Sequence, residues 1–527
     1  MPLPRAMVRL TPQRRDQNKD GDEVLLLGIS SADCIYQQKV PPYTMKKLLV
    51  LASLFAAVSA KTVKLDFWKN KPSHKSTLPR RSDHFTSPVT GDDYQILYLI
   101  DVNLGTPPQP FSLLLDTGSS DTWVPSTDAS ICVYGGCEHG AYDKNMSSTY
   151  SLVEEGTFFL QYADLTYAKG DYFTDVLSFS EAVSITNTTM ANANDTDNTQ
   201  GIMGVGFRKN LASLRNGEIL DFPTVPEQLK AQGHIDRVAY SLYLDSSDDN
   251  RGSILFGGID PTRYTGELVA LPLSTDQDGE YSEFRVALTQ MSIHDGNSTR
   301  ALTQPSFNKP ALLDSGTTLS NLPQDVINVI TEGLGATLDE DTATRYVPCS
   351  YRQSNASLVY TFGGLDGVNV SVSLSELISE QLGDESMYSD GTPACALRIA
   401  LAGDGDVILG DSFLRSAYVV YDLENFVVAL AQAKVDNKAP DDDAAVTAIS
   451  SGTALPGVTR TATVTASPPP TDLGTAATPT FDLPGVTIIS TATAEAQSPS
   501  NAAGAIRMSR AAGAAMGFGV VALQLWC

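Results

Sequence analysis

Cysteine and histidine are scarce in this chain, six and five among 527 residues. The histidines, His74, His84, His139, His234 and His294, are scattered and no H-E-x-x-H pair occurs, so a metallohydrolase lacks its ligands and no metal or cofactor is expected. No G-x-S-x-G elbow is present, and the cysteines look paired, which removes the serine and cysteine hydrolases as well. Positive charge is also short: 36 Lys and Arg stand against 61 Asp and Glu, for a net charge of −25. Residues 1–81 hold 15 of those cations against 6 acids, leaving 21 against 55 in the remainder. So acidic a body argues against a nucleic-acid partner, favours solubility at low pH and attracts basic peptides as pH rises. The longest apolar runs, 48–58 and 511–527, fall short of a membrane-spanning helix.

What is present is a duplication. Leu114-Leu115-Asp116-Thr117-Gly118-Ser119-Ser120 recurs 198 residues later as Leu312-Leu313-Asp314-Ser315-Gly316-Thr317-Thr318, each with a proline (Pro125, Pro323) nine positions after its aspartate. In each copy an apolar strand runs into an Asp, a hydroxyl residue, a Gly that permits a tight turn, and a second hydroxyl. One copy alone could be an ordinary β turn. Two matched copies, brought together across a pseudo-two-fold axis, set two carboxylates against each other, and like charges at that range hold one proton between them. The ionised member can take a proton from a water that attacks a peptide carbonyl while the protonated member supplies one to the carbonyl oxygen. Ser119 and Thr317 are positioned to donate hydrogen bonds to the outer carboxylate oxygens.

At these residues the chain resembles the pepsin-like aspartic proteases. Asp121-Thr122-Trp123-Val124-Pro125 is similar to the family's continuation of the first motif, with Trp123 behind a flap. Gly201-Ile202-Met203-Gly204-Val205-Gly206 and Val407-Ile408-Leu409-Gly410-Asp411 resemble the strands that thread behind each catalytic loop, and 412–422 resembles the close of the second lobe. The likeness spans about residues 94–433. It implies an all-β, two-lobed fold with a substrate cleft between the lobes, few short helices such as 324–333, catalytic Asp116 and Asp314 supported by Thr117, Gly118, Ser119, Ser315, Gly316 and Thr317, and a flap hairpin over 158–170 with Tyr162 as its tyrosine. Ala163 and Leu165 stand where the family commonly has glycine, so the flap tip is expected to be stiffer or differently turned. Asp164 is the candidate specificity residue, for a basic side chain next to the cut bond. Its competing role is capping the hairpin turn.

Cys132 with Cys137 and Cys349 with Cys395 are expected as disulfides in an oxidising compartment, one in each lobe. Six N-x-[ST] sequons, at Asn145, Asn187, Asn194, Asn297, Asn355 and Asn369, agree with passage through the secretory pathway. Residues 45–60, a basic start, an apolar run and small residues, read as a signal peptide beginning at an internal methionine, with 1–44 an over-extended gene model. Residues 61–81 carry seven Lys and Arg against Asp66 and end in Arg80-Arg81, reading as a basic propeptide held over an anionic cleft by charge, with a dibasic processing site. An unstructured linker is the alternative for all but the Arg pair. The lobes are expected over 82–265 and 266–438. In 446–500, 19 of 55 residues are Ser or Thr and seven are Pro, so 439–500 reads as an extended stalk. Residues 501–527, small residues, a polar spacer and an apolar tail, read as a glycosylphosphatidylinositol signal with lipid near Asn501. Together these resemble the fungal surface aspartic proteases of the yapsin and candidapepsin-like group: a surface-anchored monomer acting on proteins or peptides at acid pH. The alternative is a catalytically weak surface protein that binds peptides or wall components through the same cleft.

Overall fold

The computed structural model describes residues 61–70, 97–466 and 507–508, apart from 163, 218–219, 246–250, 340–342, 380–385, 389, 403–406, 435–444 and 453. The expected signal peptide, Arg80, Arg81 and Asn501 lie outside the described residues.

Strands dominate. Outer strands such as Ser357–Phe362 alternate half-buried and buried positions, as a strand with one face on a core does. Ala239–Leu244 and Ala417–Asp422 are buried at every position, because they run through the middle of the molecule with packing on both faces. Two large sheets carry the catalytic motifs. In one of fourteen strands, Gln109–Asp116 is flanked by Leu97–Leu104 and Ile202–Gly204; in one of eight, Lys309–Leu313 is flanked by Arg285–His294 and Val407–Leu409. The longest helix, Gln324–Leu334, turns Val326, Ile327, Ile330 and Leu334 into the core and ends at Gly335, whose φ of +62° suits a left-handed cap. Disulfides join Cys132 to Cys137 and Cys349 to Cys395.

Two expected boundaries are corrected. A lobe division at 265/266 falls inside the strand Tyr264–Pro272, and this strand, with Ala417–Asp422 and Val427–Ala433, belongs to the same sheet as the first motif. The lobes therefore share a sheet, and the buried Arg237–Asp422 ion pair, with Arg237 Nε 3.1 Å from Asp422 Oδ1, ties the end of Ala417–Asp422 to the residues that lead into Ala239–Leu244.

The described half of the basic segment is neither a linker nor a charged cover. Val63–Asn70 is an interior strand, antiparallel to Arg251–Phe256 on one side and Leu97–Leu104 on the other. Val63, Leu65 and Phe67 are buried, and Phe67 stacks edge-on to Tyr98 at 5.3 Å. A Cβ on Gly252 would lie 2.0 Å from the Phe67 ring, so the opposite strand uses glycine to seat it. Strand pairing and apolar burial hold this segment, and cleavage at Arg80-Arg81 would cut between two adjacent strands of one sheet.

The expected stalk also begins too early. Thr447–Ala448 pairs with Gly258–Ile259, and Val458–Thr461 runs parallel to Tyr264–Pro272 at the sheet edge. Ile449, Leu455 and Ala462 are buried, Ile449 N bonds Gly257 O at 2.8 Å, and Ala462 N bonds Ala270 O at 2.8 Å. Composition failed here because a few well-spaced apolar side chains suffice when an existing edge strand supplies the hydrogen bonds. Ending the chain at residue 444 instead of 466 is expected to cost on the order of 3 kcal/mol, after ordering entropy, and roughly 5 °C in melting temperature by calorimetry. Equal melting of the two forms would make 445–466 a passive tether.

Candidate active site

Each aspartate sits where an apolar strand ends against a parallel partner. Leu114, Leu115 and Asp116 pair with Ile202, Met203 and Gly204; Ala311, Leu312 and Leu313 pair with Val407, Ile408 and Leu409. Thr122 and Trp123 then return antiparallel to Met203 and Ile202, and Ser320 and Asn321 to Leu409 and Ile408. The backing glycines leave room for the loops, since a Cβ on Gly204 would meet Ser120 at 2.6 Å and one on Gly410 would meet Thr317 O at 2.1 Å.

The two loops interlock. Thr117 Oγ1 donates to Leu313 O at 2.9 Å and accepts from Ser315 N at 3.0 Å; Ser315 Oγ donates to Leu115 O at 2.8 Å and accepts from Thr117 N at 3.1 Å. Within each loop the carboxylate is held twice. Gly118 N donates to Asp116 Oδ1 at 2.8 Å and Ser119 Oγ to Oδ2; Gly316 N donates to Asp314 Oδ1 at 2.8 Å and Thr317 Oγ1 to Oδ2 at 2.6 Å. Across the axis, a Cβ on Gly118 would be 2.6 Å from the Asp314 carboxyl and one on Gly316 2.5 Å from Asp116 Oδ1. Glycine is thus required at both positions for each carboxyl to face the opposite loop. Burial first, and then the charge of Asp314, push the Asp116 carboxyl up from 3.8 to about 8, against the Ser119 and Gly118 hydrogen bonds that favour its ionised form.

Residues 151–178 form the hairpin beside this pair: Ser151–Gln161 is antiparallel to Tyr167–Ser178, closing with Gln161 opposite Tyr167. Trp123, fully buried, donates Nε1–H to Tyr162 Oη at 2.7 Å, which joins the hairpin's end to the strand behind Asp116. Burial, and next the charge of Asp116, raise the Tyr162 phenol well above its ordinary value, so it stays protonated.

The family model for eukaryotic aspartyl protease matches residues 97–433. The chain belongs to the eukaryotic aspartyl proteases. It is 33% identical over 417 residues to a probable aspartic-type endopeptidase OPSB of Trichophyton verrucosum, covering 74% of this chain and 83% of that protein. It is 34% identical over 386 residues to the aspartic proteinase yapsin-3 of Saccharomyces cerevisiae, covering 71% and 73%. In fold it is similar to the crystal structure of the aspartic proteinase from Irpex lacteus, with a TM-score of 0.54 and 21% identity over 72% of this chain and 99% of that one. This aspartyl protease is accordingly an aspartic-type endopeptidase of the pepsin-like, yapsin-type family.

Around the protease's paired loops lie residues that brace them. Asp121 is buried, with Tyr172 Oη donating to Oδ1 at 2.9 Å and Ala212 N to Oδ2 at 2.7 Å. Burial lifts its carboxyl from 3.8 to about 6 despite those donors. Asn210 Nδ2 donates to Gly118 O at 3.0 Å, and Ser120 Oγ to Phe207 O at 2.6 Å, so the segment after Gly206 braces the first loop from outside. Asp121 is legible as the first residue of the continuation after the first motif; Asn210 carries no local signal. At the tip, Asp164 is exposed and its Oδ1 accepts from Thr166 N at 3.0 Å and Thr166 Oγ1 at 2.7 Å, which is the turn-capping geometry.

Proposed function

We propose that this protein is a secreted, surface-anchored endopeptidase in which Asp116 and Asp314 share one proton and activate a water for attack on a peptide bond at acid pH, with a preference for basic residues at the cleavage site. The observation that carries the mechanism is the reciprocal loop geometry: two buried carboxyls, each bonded by its own loop's amide and hydroxyl, each facing the other loop's glycine. Thr117, Gly118, Ser119, Ser315, Gly316 and Thr317 hold the pair rigid, so that a peptide carbonyl meets an acid and a base already placed. Tyr162, neutral and held by Trp123, closes the cleft on one side. The acid range, between roughly 2 and 6, is the family's own.

Passage through the secretory pathway is supported by the two disulfides and by the six sequon asparagines, Asn145, Asn187, Asn194, Asn297, Asn355 and Asn369, all of which are exposed. No helix among the described residues is long and apolar enough to cross a membrane. The order of stalk, small residues and apolar tail supports lipid attachment near Asn501, and the basic Arg80-Arg81 pair supports processing there. For the charge preference, Asp164 keeps one carboxylate oxygen outside its turn bonds, and the acidic body favours basic peptides.

One experiment tests these together. Cells producing the protein or its Asp164→Ser variant are treated with a phosphatidylinositol-specific phospholipase, and the released enzyme is assayed at acid pH on peptides cut after Lys or after Leu. Release of activity is expected, with cleavage after Lys falling about tenfold in the variant and cleavage after Leu unchanged. Failure of release counts against the anchor. An equal fall on both peptides means that Asp164 only caps the turn.

A further inference from the structure

Three arginines converge on one short helical turn, Leu374–Leu377. Arg352 Nη1 donates to Ser375 O at 3.1 Å and to Ile378 O, and Arg398 N donates to Leu377 O at 2.6 Å. Arg415 grips Glu376 twice, through Nε to Oε2 at 2.6 Å and through Nη2 to the main-chain oxygen at 2.9 Å. Arg398 and Arg415 are 7% and 0% exposed, and Tyr98 is buried beside Arg415. Yet Arg398 Nε and Nη1, Arg415 Nη1 and Tyr98 Oη have no hydrogen-bond partner of good geometry among the described residues. A guanidinium left unpaired away from water is among the costliest arrangements in a protein interior.

Charge decides which partner these donors suit. Arg415 and Arg352 act on Arg398 as like charges, and the carboxylate that acts on it, Glu376, is already bonded to Arg415. Asp411, at the start of the helical turn Asp411–Leu414, offsets part of the charge of Arg415. Three guanidinium groups thus face two carboxylates, an excess of one positive charge. Burial first, and then Arg415, bring Arg398 down from 12.5 only to about 10, so it stays charged at acid and neutral pH. A buried water satisfies a donor without balancing that charge, whereas one small anion does both. The enclosure of these side chains excludes a phosphate ester or a peptide carboxylate.

We propose that Arg398 and Arg415, with Tyr98, form an internal binding site for a small monovalent anion of the chloride type. Its place in the fold makes it a structural site. Ser320 N donates to Arg398 O at 3.4 Å, Ser320 Oγ shares a hydrogen bond of 2.8 Å with Ser412 Oγ, and Ser412 N donates to Thr318 O at 3.2 Å. The ion therefore lies a layer behind the Asp314 loop and does not touch substrate. Tyr98 belongs to the fourteen-stranded sheet and Arg398 leads into Ile399–Leu401 of the eight-stranded one, so the ion joins the sheets that carry the two catalytic motifs.

The test uses the full secreted enzyme at constant ionic strength, with sodium chloride replacing sodium gluconate, whose anion is too large to enter. The melting temperature is expected to rise by about 3 °C as chloride approaches saturation, and bromide acts as chloride does. Arg398→Met, which keeps an unbranched stem and removes the charge, loses the chloride response and melts at least as high in gluconate as the unmodified enzyme. Crystals of the unmodified enzyme grown in sodium bromide are expected to show an anomalous scattering peak in contact with Arg398 Nε and Arg415 Nη1, a readout that does not depend on the variant folding. Equal melting in chloride and gluconate overturns the proposal, as does a chloride response that survives in Arg398→Met. So does a water molecule, or a carboxyl side chain of the protein itself, in place of the bromide peak.

Discussion

Asp116→Asn and Asp314→Asn are each expected to lower kcat/KM for peptide hydrolysis by about 10^3–10^4-fold, with secretion and fold retained. The amide fills the carboxyl's volume; its oxygen keeps the loop amide, Gly118 N at one site and Gly316 N at the other, and its NH2 faces Ser119 Oγ or Thr317 Oγ1, a hydroxyl that can turn to accept. The amide cannot hold or release the shared proton. Because acid and base act as a unit, the double variant should be little worse than either single one, so steady-state kinetics of all three form the decisive set. A single variant that retains most of its activity, or a double variant whose loss is the product of the two single losses, would mean that the carboxyls do not work as a pair.

A second large effect is expected on stability, which should fall as pH rises. Asp116 is raised in the folded chain from 3.8 to about 8 by burial and by Asp314, and Asp121 from 3.8 to about 6 by burial. A carboxyl raised on folding binds its proton more tightly in the native than in the unfolded state, so its contribution is fully present below 3.8 and is lost as pH climbs through the folded values. Between pH 4 and 8 the loss should reach several kcal/mol, of which the shift of Asp121 alone accounts for about 3 kcal/mol, and self-repulsion of the acidic body adds to it. Asp116→Asn removes the largest titration and should flatten the profile while abolishing activity. Denaturant unfolding at a series of pH values measures this, and a profile that is flat or rises toward neutrality would sink the assignment of raised carboxyls.

The paired motifs were readable because their geometry is local. A strand, an Asp, a hydroxyl, a Gly and another hydroxyl form the same turn wherever the backing strand allows it, and the flap hairpin and the helix after Pro323 follow from similar short-range rules. The disulfides were readable for the same reason in Cys132 and Cys137, five residues apart. Leu165 was visible as a departure from glycine, but only the fold gives it φ +73° and leaves its side chain in water.

Other features depended on partners far along the chain. The strand Val63–Asn70 looks like a charged linker because Lys64 and Asp66 alternate with the three apolar residues that the sheet buries, and those residues meet a receptive surface only when Gly252 is opposite Phe67. Residues 445–466 carry few large apolar side chains among many Ser and Thr, yet the open edge at Tyr264–Pro272 gives them a backbone ladder and a place for Ile449 and Leu455. By itself the sequence determined the chemistry, since two carboxylates, their hydroxyl donors and their glycines are written in seven-residue segments. Tertiary structure alone decided that Gly118 faces Asp314 and Gly316 faces Asp116, that the lobes share a sheet, and that Val63–Asn70 and Val458–Thr461 are built into it, because each of these rests on contacts between residues separated by tens to hundreds of positions.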